Sequence, residues 1–208
     1  MYRPELNEKT RITQQLNKLP LKEGELWLFE KCFCEHLLDH YYNYLLSAIP
    51  WQQESIVLFG KRHQQPRLTA WFAEGNKTYT YSGLRCYPNP WNTVLLDIKE
   101  KIERLTFASY NSVLLNLYRN GNDSMGWHSD DEPELGKNPS IASVSLGATR
   151  TFQLKHRLRK EEPNISLALN HGSLLFMTGS TQHFWKHQIP KTRKHVEPRI
   201  NLTFRNIH

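Results

Sequence analysis

Two amphipathic helical stretches followed by a run of short strands predict an α+β domain that is mainly β. Helical spacing of apolar residues is confined to residues 30–49 and 94–104, and strand alternation dominates from Asn111 onward. Chains ordered in this way fold as a β-sandwich or jelly roll with helices packed on one side. At 208 residues the chain is long enough for one full core.

Each element has its own signal. Residues 1–22 are polar with few apolar anchors and read as an arm preceding a single domain over 23–208. From Glu30 to Ile49, Phe33, Leu37, Leu38, Tyr41, Leu45 and Ile49 form a helical stripe that Pro50 closes. Ser55 to Lys61 reads as a strand meeting a turn at Gly60, and Leu68 to Phe72 reads as the strand that pairs with it in a hairpin. The intervening stretch from Lys61 to Arg67 is basic and polar. Lys77 to Gly83 alternates and places Tyr79 and Tyr81 on one face. Val94, Leu95, Ile98 and Ile102 mark the second helix, up to Arg104. Residues 113–118, 141–146, 151–155, 165–169, 173–177 and 199–205 are strands, with turn signals at Gly147, Pro163, His171-Gly172 and Gly179.

Composition excludes several classes. Apolar runs reach about five residues, too short for a membrane span. The first residues, Met-Tyr-Arg-Pro-Glu-Leu-Asn-Glu-Lys, lack the apolar core of a secretory signal. Cys32, Cys34 and Cys86 have no zinc spacing and are expected to be reduced thiols of a cytoplasmic or nuclear protein. A formal charge of +7 favours polyanionic partners and says nothing about fold. A single domain with no obvious sticky edge is expected to be a monomer.

Two stretches carry chemistry. In Met125-Gly126-Trp127-His128-Ser129-Asp130 an imidazole and a carboxylate two residues apart point the same way on extended backbone. With a second histidine they would complete a facial triad with open positions, the ligand set of non-haem Fe(II) oxygenases. His183 and His187 both qualify, and spacing does not separate them. In the last strand Arg199, Asn201, Thr203 and Arg205 share one face, and Ile200, Leu202 and Phe204 share the other. Two guanidiniums with an amide and a hydroxyl between them suit a carboxylate ligand. Asn116 and Tyr118 offer an amide and a phenol at the same two-residue offset. Together these groups suggest a metal and a small dicarboxylate.

Asn116-Leu117-Tyr118, His128-Ser129-Asp130, Ser143-Val144-Ser145-Leu146-Gly147, His171-Gly172-Ser173-Leu174, a late His-x-x-Pro and Arg199-x-Asn201-x-Thr203-Phe204-Arg205 occur in one order over residues 55–205. This set resembles the AlkB family, the Fe(II)/2-oxoglutarate dioxygenases that reverse alkylation damage on nucleobases, and is most similar to its duplex-acting branch. The resemblance implies a double-stranded β-helix, a jelly-roll variant, over 111–205, with a nucleotide-recognition region over 55–90. It implies Fe(II), 2-oxoglutarate and O₂ as cofactor and cosubstrates, with His128, Asp130 and His187 as metal ligands, and leaves His183 and His195 outside the centre. Arg199 resembles the partner of the distal 2-oxoglutarate carboxylate, with Tyr118 and Asn201 near it, Arg205 and Asn116 resemble the groups at the metal-proximal end, and Thr203 belongs to the same cosubstrate-binding set.

The implied reaction couples oxidative decarboxylation of 2-oxoglutarate to oxidation of an N-methyl group, which leaves as formaldehyde. 1-Methyladenine and 3-methylcytosine in DNA are the expected substrates, and a base in a duplex must be flipped out to reach the metal. Tyr79 and Tyr81 would then stack on the base opposite His128, and Asp131 or Glu132 would contact its amino group. Phe59 resembles an apolar wedge that holds the stack open. Lys61, Arg62, Arg67, Lys155, Arg157 and Arg159 are the expected phosphate contacts. The rival readings are an RNA demethylase of the same family and a catalytically silent nucleic-acid-binding module on this scaffold.

Overall fold

A computed structural model describes residues 17–58, 60–75, 79–81, 84–86 and 88–208, the side chains at 57, 58, 79–81 and 84–86 excepted. Its frame is a pair of antiparallel sheets. The larger has seven strands in the order β1-β2-β13-β10-β15-β8-β5, and the smaller has four in the order β12-β11-β14-β9. In chain order the large sheet uses β1 (Asn17–Leu19), β2 (Glu25–Phe29), β5 (Leu68–Ala73), β8 (Ser112–Tyr118), β10 (Ile141–Gly147), β13 (Leu174–Thr178) and β15 (Arg199–Arg205). The small sheet uses β9 (Met125–His128), β11 (Arg150–His156), β12 (Ile165–Leu169) and β14 (Trp185–Ile189). Hairpins β3–β4 (Ser55–Leu58, Lys61–Gln64) and β6–β7 (Tyr79–Tyr81, Leu84–Cys86) stand apart from both.

Strand alternation divides the interior into two cores. On β15 Ile200, Leu202 and Phe204 face one way, and on β8 Val113, Leu115 and Leu117 join them. Helix α1 (Glu35–Ala48) meets this face with Leu38, Tyr41 and Leu45, and helix α2 (Thr93–Thr106) with Leu95, Ile98 and Ile102. Asn92 caps α2 by accepting the Leu95 amide at 2.9 Å. The second core lies between the sheets, where Leu26, Ile141, Leu175 and Met177 meet Phe152, Leu154, Trp185 and Ile189. Helices therefore cover one face of the large sheet, the architecture expected from the sequence.

Several boundaries differ from expectation. β1 falls within the stretch read as an arm; it pairs with β2 at the edge of the large sheet. Helix α1 starts at Glu35 because the chain is still extended at its N-cap, Cys34. Leu68–Ala73 does not pair with Ser55–Leu58. That hairpin closes sooner, on Lys61–Gln64 around Gly60 with φ +75°, and β5 instead joins β8.

Gly147 ends β10 at φ +87°, where a Cβ would run into the Pro198 carbonyl and the Tyr42 ring. Its amide donates to His171 Nδ1 at 2.8 Å, fixing the turn beside the start of β15. Gly147→Ala should cost roughly 3 kcal/mol, the left-handed backbone and the overpacking together, read as a lowered denaturant midpoint.

Candidate metal and dicarboxylate site

Two neighbouring strands of the small sheet, and the residues just past the end of one of them, bring the metal-ligating groups together. His128 ends β9 and lies directly across from His187 on β14. Asp130 follows two residues later and is 2% exposed. One ligand atom from each of His128, Asp130 and His187 lies within 4.8 Å of the other two, the one such group among the described residues. The imidazole centroids are 4.2 Å apart, and His187 stacks on Phe152. His183, the alternative, is exposed, and so is His195. Geometry thus selects His187.

The electrostatics prepare these groups for a cation. Burial pushes the His187 imidazole down to about 3, with His128 adding to the effect, so the ring is neutral and keeps a lone pair. Burial lowers His128 as well. His128 Nδ1 lies 2.8 Å from the Gly126 carbonyl, which fixes the proton on Nδ1 and leaves Nε2 as the ligand atom. Burial alone would raise Asp130, but Arg205, His187 and His128 outweigh it and hold the carboxyl below its ordinary range. Arg205 Nη2 donates to Asp130 Oδ1 at 2.5 Å. Two neutral imidazoles and one ionised carboxylate fit Fe(II).

The second half of the site lies along β15. All seven of its residues are buried, because the strand is central and helices cover its other face. Arg199 is 0% exposed. Its Nη2 donates to Asn201 Oδ1 at 2.7 Å and to Ser145 Oγ at 2.8 Å. Its guanidinium lies 5.3 Å from the Tyr118 ring, and the Tyr118 hydroxyl favours the charged form. Nε and Nη1 are nonetheless buried without a well-formed hydrogen bond. Burial pushes this guanidinium down to about 10. A buried cation with two unused donors fits a carboxylate. Asn201 Nδ2 continues the chain by donating to Thr203 Oγ1 at 2.9 Å. Asn116, Tyr118, Asn201, Thr203 and Arg205 line one pocket with the three metal-site residues, about 460 Å³ including its open mouth.

The remaining expected site residues vary in their placement. Arg67 does not face outward for phosphate. It is 5% exposed and its Nε donates to Asn116 Oδ1 at 2.8 Å, because β5 lies against β8 in register. Arg157, expected to hold phosphate, is ion-paired with Asp131 at 2.8 Å, and Arg159 is paired with Glu23 at 2.9 Å. Lys155 lies over the Trp127 ring at 4.4 Å. Lys61 and Arg62 are exposed on β4. Glu132 Oε2 is buried and has no hydrogen-bond partner. Phe59 lies outside the described residues, as do the side chains of Tyr79 and Tyr81, whose backbone forms β6.

Four contributors were missed. Ser143 and Ser145 lie across from Thr203 and Asn201, and Ser143 donates to Asn201 Oδ1 at 3.0 Å. Arg150 is 3% exposed and donates to the carbonyls of Asn120, Asp123 and Pro190, pinning together the loops after β8 and β14. Gln182 holds the Asp130 amide at 2.9 Å. The pattern Ser143-x-Ser145 was visible, but only the strand register shows what it faces.

This fold, with a candidate metal-ligand triad beside a buried arginine that keeps unused donors, is the arrangement expected of a non-haem iron oxygenase. The family profile described as the 2OG-Fe(II) oxygenase superfamily matches residues 25–205, and the chain belongs to that family. Human alpha-ketoglutarate-dependent dioxygenase alkB homolog 3 is 46% identical over 172 residues, 79% of this chain and 59% of that protein. The DNA oxidative demethylase ALKBH2 of mouse is 41% identical over 184 residues, 86% of this chain and 74% of that protein. The chain spans about three fifths of the human alkB homolog 3. The solved structure of OsALKBH1 shares the fold, with a TM-score of 0.63 at 18% identity over 91% of this chain and 100% of that one.

Proposed function

We propose that the chain is a DNA-repair dioxygenase that demethylates N-alkylated bases, 1-methyladenine and 3-methylcytosine, using Fe(II), 2-oxoglutarate and O₂. One observation carries the reading: the three metal-ligating groups share a pocket with the strand whose Arg199 has two unused donors. The similarity to alkB homolog 3 and to the DNA oxidative demethylase ALKBH2 supports the substrate class.

The protein's own part in the reaction is to bind, orient and shield. Fe(II) held by His128, Asp130 and His187 would supply oxidative decarboxylation of 2-oxoglutarate and transfer of one oxygen atom to the N-methyl carbon, the methyl leaving as formaldehyde. Arg199 would take the distal carboxylate of 2-oxoglutarate, with Tyr118 and Ser145 beside it. Arg205 steadies Asp130, and Arg67 holds the oxygen of the Asn116 amide so that its N–H₂ is left for a ligand. Leu114, Phe152 and Met177 keep the pocket wall apolar. The base would stack on Tyr79 and Tyr81, with Asp131 or Glu132 at its amino group. Phe59 would hold the duplex open, and Lys61 and Arg62 would contact phosphate.

The test is anaerobic loading with Fe(II) and 2-oxoglutarate, then O₂ with methylated DNA and RNA oligonucleotides, measuring formaldehyde. Release from DNA that disappears in His187→Ala and persists in His183→Ala is the expected result. Release from RNA alone transfers the assignment to an RNA demethylase. Binding of all components with no formaldehyde identifies a silent nucleic-acid-binding module.

A further inference from the structure

We infer that Gln182 is a positioning residue that sets the metal ligand Asp130 at a fixed distance from the ligand His187. The inference rests on the reading of His128, Asp130 and His187 as a metal centre. Asp130 lies beyond the end of β9, so no ladder bond is available to its amide. The amide donates instead to Gln182 Oε1 at 2.9 Å. The other end of that side chain is also committed, since Gln182 Nε2 donates to Met177 Sδ at 3.6 Å. Reversing the amide would set N–H₂ against N–H, so its orientation is fixed.

Gln182 is anchored from behind. It is 1% exposed on a one-turn helix, α3 (Thr181–Phe184), between β13 and β14. Thr181 Oγ1 locks this turn by accepting the Glu25 amide at 2.8 Å and donating to the Thr178 carbonyl at 2.6 Å. Ser129 Oγ donates to the Trp185 carbonyl at 3.0 Å. Ser129 and Asp130 are thus both tied to residues 182–185, which lead directly into His187. A metal ligand past a strand end is free to drift, and this double tie removes that freedom. An amide satisfied only for packing reasons would cost stability when removed but leave metal affinity alone.

The test uses the full chain with Co(II) as a spectroscopic stand-in for Fe(II), titrated without substrate. Gln182→Met keeps the volume and removes the oxygen; Co(II) affinity should fall 10- to 100-fold with a changed visible absorption band. Gln182→Glu keeps an oxygen for the Asp130 amide and should bind Co(II) within about threefold of the parent or tighter, the rescue a positioning role demands. Gln182→Asn, which draws the amide back from Asp130, reads the same quantity if the methionine variant does not fold. Parent-like Co(II) affinity and spectrum in Gln182→Met or Gln182→Asn, beside a lowered melting temperature, overturns the proposal, as does an equal loss in Gln182→Glu. Failure of the metal reading itself shows separately: the parent then binds no more Co(II) than His128→Ala does.

Discussion

Arg199→Met should fold as well as the parent, or better, and bind 2-oxoglutarate at least about 100-fold more weakly. Both halves follow from one situation. Arg199 is fully buried and belongs to none of the ion pairs formed among the described residues. The groups it contacts are neutral, Ser145, Asn201 and the face of Tyr118, and the charge acting on it from Arg150 is of the same sign. A buried charge without a counter-charge costs several kcal/mol, and an apolar residue of similar volume removes that cost. Asn201 Oδ1 keeps a donor in Ser143, so the substitution leaves little unsatisfied. With ligand present the balance reverses, because the dicarboxylate is what offsets the burial of the guanidinium. Thermal melts with and without 2-oxoglutarate read both quantities. A parent-like ligand-induced shift in the variant would remove Arg199 from the cosubstrate site.

Asp130→Ala should abolish metal binding and destabilise the protein by about 3–5 kcal/mol, more than the loss of a carboxylate side chain suggests. The excess comes from Arg205, itself 7% exposed, which loses the carboxylate it donates to at 2.5 Å. The double variant Asp130→Ala/Arg205→Met should recover most of that stability and none of the metal affinity. Denaturant midpoints and Co(II) titration separate the two effects. Equal instability of the single and double variants would show that the ion pair is not what the single variant breaks.

What the sequence revealed depended on whether a strand's two faces differ chemically. β15 was legible to the residue, since Arg199, Asn201, Thr203 and Arg205 alternate with Ile200, Leu202 and Phe204. β2 was not: Leu26 and Leu28 enter one core while Trp27 packs against the other, so Glu25–Phe29 shows no period. β14 hid for another reason. Trp185, His187 and Ile189 are its buried positions, and a histidine in the middle erases an apolar alternation. Arg67 was misplaced because arginine in a basic run is ordinarily solvated. The acceptor that lets it be buried, Asn116 Oδ1, comes from a strand 49 residues away in sequence. Ser143 and Ser145 stand in the motif set that carries the resemblance, but only strand register shows that they lie across from Thr203 and Asn201.

The two halves of the pocket belong to parts of the molecule with unequal local stability. Asn201 and Thr203 hang from β15, a strand paired on both sides and buried on both faces, which opens only when the whole domain unfolds. His128 hangs from β9, a four-residue edge strand with a register shift against β14. The dicarboxylate half is therefore built before any ligand arrives, and its backbone amides have little further protection to gain. The metal half is where binding has order left to create, so a cation would slow hydrogen exchange along β9, residues 125–128, and leave residues 199–205 unchanged.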